Sequence, residues 1–71
     1  MGSLNRKFGA HVRSLRTSRS LTQESLAESS GLSVDSIRRI ERGTFSPTLD
    51  TLAKLARGLG MTLSALFGCL D

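Results

Sequence analysis

A chain of 71 residues is long enough for one small domain and no more. Its formal net charge is +4 and its pI is near 10.7, and Arg6, Lys7, Arg13, Arg16 and Arg19 crowd the first 20 positions with no acid among them. That balance points to nucleic acid or another anionic surface as partner. No run of about 18 apolar residues exists to cross a membrane. A single cysteine, Cys69, excludes an intrachain disulfide and fits a reducing cytoplasm, and one Cys with one His falls short of a structural metal site.

Leucine dominates the apolar residues and β-branched residues do not alternate, which predicts an all-α domain. The first helix is expected over about 4–19. Leu4, Phe8, Val12 and Leu15 form its buried stripe, with Arg6 and Arg13 on the solvated side. Thr22 is placed to cap a second helix, with Glu24 in its first turn and Leu26 and Ala27 facing inward. Gly31 then ends it. Ser33 caps a third helix whose Ile37 and Ile40 point inward, and Gly43 closes that helix. Beyond "TFSP", Thr48 caps a fourth helix carrying Leu52, Leu55, Ala56 and Leu59 at i, i+3, i+4, i+7. Gly60 stops it. Thr62 caps a short fifth helix with Leu63, Leu66 and Phe67, leaving "GCLD" (68–71) as a tail of a single domain spanning 1–71.

Helix, glycine-containing turn, helix is the plan of a helix-turn-helix, here "TQESLAESSGLSVDSIRRIERG", residues 22–43. Ala27 is small where two helices would cross closely, and Ile37 fills the angle between them. With Ile37 and Ile40 inward, Asp35, Arg38, Arg39 and Arg42 fall on the outer half of the third helix and Val34 on its flank.

From Arg16 through "LTQ", "LA", "G-S", "I--IE-G", a proline, "TL--LA--LG" and "LF", the chain resembles the phage repressor and Cro-type helix-turn-helix domains, also called the xenobiotic-response-element family. The resemblance covers about residues 6–67. It implies a compact five-helix, lambda-repressor-like fold and binding to double-stranded DNA. It further implies that Val34, Asp35 and Arg39 read bases. Arg39 is the strongest candidate, since arginine grips guanine O6 and N7 with two bonds, while Val34 could meet a thymine methyl. Gln23 is expected to reach a phosphate and brace the reading helix. Ser33 could cap and also meet a phosphate; Arg38 and Arg42 are expected on phosphates, as are backbone N–H groups at Gly43 and Thr44. Arg16 and Glu41 are expected to form a structural ion pair. The family often has glycine where Ser20 lies, so serine there suggests a somewhat different turn.

Asp35 is the odd residue, an acid on a face meant for a polyanion. It could complement the positive end of its helix, accept from a cytosine amino group, or hold Arg39 one turn on. A domain this small is expected to act as a homodimer on a two-fold operator, and Leu63, Leu66, Phe67 and Leu70 are candidate dimer contacts. The reading is a non-enzymatic, cytoplasmic, phage or bacterial transcriptional regulator, expected to be a dimeric repressor that occupies an operator with the third helix in the major groove, with no cofactor and no metal. The alternative is a module that binds a partner protein, as an antitoxin does. Paired carboxylates, a glycine-rich phosphate loop and a Ser/His/Asp set are all missing from the sequence, and His11 reads as lacking a chemical role.

Overall fold

The computed structural model describes the backbone of residues 2–70 and the side chains of residues 4–68. Its helices are α1 (Gly2–Ser18), α2 (Gln23–Ser30), α3 (Val34–Arg42), α4 (Leu49–Gly58) and α5 (Leu63–Leu66), followed by a 3-10 turn over Phe67–Leu70. There is no strand among the described residues. The all-α reading with five helices therefore holds.

Each boundary has a local cause. Thr22, Ser33, Thr48 and Thr62 are all extended, and each hydroxyl accepts from the backbone N–H three residues on. At α2 the arrangement is reciprocal, because Thr22 N–H also donates to Ser25 Oγ at 2.8 Å. Gly31 and Gly43 end α2 and α3 at φ 75°, a conformation open to glycine without steric cost. α1 ends where the hydroxyls of Thr17 and Ser18 turn back onto carbonyls of their own helix.

Ser20 corrects one expectation. Its φ is 57°, so the serine takes up the left-handed conformation that glycine adopts without steric cost. For an L-residue that conformation costs about 1–2 kcal/mol.

α1 packs mainly on α3, while α2 lies against both α3 and α4. Phe8, Val12, Leu26, Ala27, Ile37, Ile40, Leu52, Leu55, Ala56, Leu59 and Leu66 meet in one core. Two glycines, one within α1 and one at the last position of α4, set how near the helices come. A Cβ on Gly9 would collide with the carbonyl oxygen of Ile40 and stand 2.7 Å from that of Glu41. A Cβ on Gly58 would stand 2.7 Å from Ser30 Cβ. Ser30, buried in that crossing, satisfies its hydroxyl on Leu26 O at 2.7 Å.

Two further expectations change. Leu4 is 53% exposed and does not join the core; it borders a groove of about 250 Å³ with Phe8, Pro47, Leu52 and Phe67. Phe67, expected within the fifth helix, instead opens the 3-10 turn, which packs on α1, and its ring lies 5.9 Å from that of Phe8. Phe45, in the loop after α3, turns inward against the core.

Candidate nucleic-acid interface

The helix-turn-helix is held at a junction of three elements. Arg16, on α1, donates from Nε to Glu41 Oε2 at 2.7 Å and from Nη2 to Glu41 Oε1 at 3.2 Å. Its Nη1 donates to Leu21 O at 2.8 Å, in the turn before α2. Gln23, the first residue of α2, adds Nε2 to Glu41 Oε1 at 3.1 Å. A carboxylate only accepts, so the contact itself orients the amide with its nitrogen towards Glu41. Side-chain exposure is 12% for Arg16 and 4% for Glu41, which makes this a largely desolvated network. The hydrogen bonding of Arg16 to the Glu41 carboxylate is the main cause that raises the Arg16 pKa from its already high ordinary value, with burial acting against it. One carboxylate at the end of α3 thus ties α1, the start of α2 and α3 into one unit.

The outer face of α3 is different in kind. Asp35 and Arg39 form an i, i+4 pair with Oδ2 to Nε at 3.0 Å, and their side chains are 65% and 60% exposed. Of the three readings of Asp35, this geometry supplies the third: the acid holds the arginine one turn on. Asp35 also lies in the first turn of α3, so the dipole reading coexists with it. Arg38 and Arg42 are exposed, and neither has an ion-pair partner among the described residues. Val34 is half-buried and packs partly against the core, so only its outer edge faces the same way.

Between α1, the start of α2 and α3 lies an open cleft of about 500 Å³, bordered by Arg13, Gln23, Glu24, Arg38 and Arg42, with the Arg16–Glu41 pair in its wall. Arg13 was not singled out from the sequence, where it reads as solvated. Its signal was the i, i+3 spacing to Arg16, which puts both on the side of α1 that meets the helix-turn-helix.

Some expected phosphate donors are already engaged. Gly43 N–H donates to Ile40 O at 3.1 Å, and Thr44 N–H donates to Arg39 O at 3.1 Å. These bonds close the C-terminal end of α3 and engage both amides within the chain. Ser33 Oγ accepts from Ser36 N–H at 3.1 Å and donates its proton to Ser36 Oγ at 2.9 Å. The hydroxyl left with a proton to direct outward is that of Ser36. Arg19 is also committed, with Nε on Leu59 O at 3.0 Å beyond the end of α4.

The four candidate dimer residues separate. Leu66 is fully buried within its own chain and offers no surface to a second copy. Leu63 is 37% exposed and Phe67 is half-buried, while the side chain of Leu70 lies outside the described residues, as does that of Cys69. Among the described residues no group of His, Cys, Asp and Glu is placed to hold a metal ion, and no helix is long and apolar enough to cross a membrane. His11 Nε2 is buried without a hydrogen-bond partner among the described residues.

Comparison with known proteins bears on the family and the fold. Residues 12–66 match the family described as helix-turn-helix, HTH_3. The chain is 40% identical over 60 residues to the immunity repressor protein of Bacillus phage phi105, covering 84% of this chain and 42% of that protein. It is 35% identical over 72 residues to control protein C.MunI of a Mycoplasma species, covering 100% of this chain and 97% of that protein. Among solved structures, the restriction-modification controller protein C.AhdI from Aeromonas hydrophila superposes with a TM-score of 0.88 at 38% identity, over 92% of this chain and 98% of that one. The chain thus spans less than half of the phage repressor but nearly all of the controller proteins.

Proposed function

The chain belongs to the helix-turn-helix family HTH_3, and from that premise we propose that it is a sequence-specific DNA-binding transcriptional regulator that occupies an operator with α3 in the major groove. The observation that carries this reading is the outer face of α3. Asp35, Arg38, Arg39 and Arg42 are all exposed there, on a helix whose inner face is locked by Ile37, Ile40 and the Glu41 junction. In this reading Arg39 meets guanine, aimed by Asp35, and the outer edge of Val34 lies near the same base pairs. Arg38, Arg42 and Arg13 neutralise phosphates around the cleft, and the second N–H of the Gln23 amide serves the same strand.

The longest extent of the domain is 28 Å, less than the roughly 34 Å between successive major grooves on one face of the duplex. Reading two half-sites therefore takes two copies, and the proposal includes a homodimer on a two-fold operator. Leu63 is the exposed one of the candidate dimer residues, and it lines a shallow depression of about 410 Å³ with Ala53, Ala56, Gly60 and Met61 that a second copy would cover. As a phage or bacterial regulator it works in the cytoplasm, where the DNA is. The partner-protein reading draws on the exposed Leu4 and Leu49, but a docking face made of four charged residues favours DNA.

The test is selection of bound duplexes from a random pool, with wild type and with Arg39→Ala. The wild type should enrich a two-fold motif, and the variant should lose preference at one position per half-site, at about 1–3 kcal/mol of discrimination. A pool that remains random after selection with the wild type would overturn the reading.

A further inference from the structure

The C-terminal end of α3 has no free amides to offer at Gly43 and Thr44, and a helix C-terminus carries partial negative charge that opposes a phosphate. The side chain that covers this end comes from α1. A Cβ built on Gly43 would stand 2.7 Å from Arg6 Cα and 2.8 Å from Arg6 Cγ, so the backbone and stem of Arg6 lie directly across the helix end. Contacts on both sides hold it there. Asn5 Nδ2 donates to Ser46 Oγ at 2.9 Å, just beyond Gly43 in the loop to α4. Gly9, one turn along α1, lets the helix backbone close onto the carbonyls of Ile40 and Glu41. Arg6 is itself exposed and has no ion-pair partner among the described residues.

We propose that Arg6 is a DNA phosphate ligand at the C-terminal end of the reading helix, standing over Gly43 in place of the engaged amides of Gly43 and Thr44. Its guanidinium offsets the negative helix end and carries the DNA footprint from the helix-turn-helix onto the first turns of α1. Gly43 is then needed twice, for its left-handed φ and for the room it leaves Arg6. The inference rests on the DNA-binding reading above and adds one contact to it.

The experiment measures affinity for a short duplex of arbitrary sequence and for the duplex enriched by selection, between about 50 and 200 mM salt. Wild type, Arg6→Gln and Arg6→Lys are compared; glutamine keeps most of the stem over Gly43, and a melting curve for each variant separates folding from binding. Each phosphate neutralised contributes about 0.9 to the slope of log affinity against log salt. Arg6→Gln should therefore lose about 0.9 of slope on both duplexes, and its deficit relative to wild type should shrink about 3.5-fold across that fourfold salt range. Arg6→Lys should restore most of the slope, and the enriched motif should stay the same in both variants. An unchanged slope in Arg6→Gln beside a steep wild-type slope would overturn this inference alone. A flat wild-type slope would overturn the DNA-binding reading beneath it.

Discussion

Two ion pairs sit six residues apart on α3, and their surroundings give them different work. Glu41 is nearly excluded from solvent and accepts three hydrogen bonds from α1 and α2. Asp35 is mostly exposed and meets one arginine of its own helix. An exposed i, i+4 pair contributes about 0.3–0.5 kcal/mol, because water screens it and two long side chains lose freedom. A largely buried pair is costly to break from one side, because the remaining charge stays desolvated without its partner. The same chemistry is therefore architectural at one end of the helix and free to serve recognition at the other.

The comparison can be broken first at the buried end. Glu41→Ala should lower stability by about 3–5 kcal/mol, the largest effect expected here. For a domain of this size that is a fall in melting temperature of roughly 12–40 °C. At a temperature where the variant is still folded, its selected DNA motif should match that of the wild type. A melting temperature equal to the wild-type value would remove the architectural role of the pair.

Gly9→Ala asks whether close backbone packing matters as much as charge at the same junction. The added methyl meets the carbonyls of Ile40 and Glu41, so α1 and α3 must separate. Better helix propensity returns about 1 kcal/mol, and overpacking costs about 1–3 kcal/mol. A net loss of up to about 2 kcal/mol is expected by denaturant titration, with weaker binding to every duplex. A variant more stable than wild type would show that the approach is slack.

The smallest stability effect belongs to the exposed end. Asp35→Ala should change stability by less than about 0.5 kcal/mol. Selection with this variant should shift base preference at one or two positions, because Arg39 loses its tether. Tighter binding to all sequences alike would reduce Asp35 to a local charge.

How much of this could be read in advance differs by kind of feature. The four N-caps, the glycine stops and the Leu52–Leu59 stripe depend on neighbours within one turn, and the sequence displays them directly. The Glu41 junction was legible only through family resemblance, since its partners lie 25 and 18 residues away. Leu4 continues the helical stripe of α1 yet ends beside a groove, because periodicity says which side a residue takes and not how far the neighbouring elements extend. Gly9 and Gly58 look like weak points in their helices; their purpose is visible only once Ile40, Glu41 and Ser30 are seen against them.

The sequence by itself determined the helices, their ends, the inward residues of α3 and α4, and the charged outer face of α3. Each of these follows from local hydrogen bonding and from burial of apolar side chains at a 3.6-residue period. Tertiary structure decided which polar groups remain available. Gly43 and Thr44 lose their amides to the end of α3, Ser33 gives its proton to Ser36, and Arg6 arrives from the far end of α1 to stand over Gly43. Availability depends on which backbones approach closely in space, and that is set by how the helices cross.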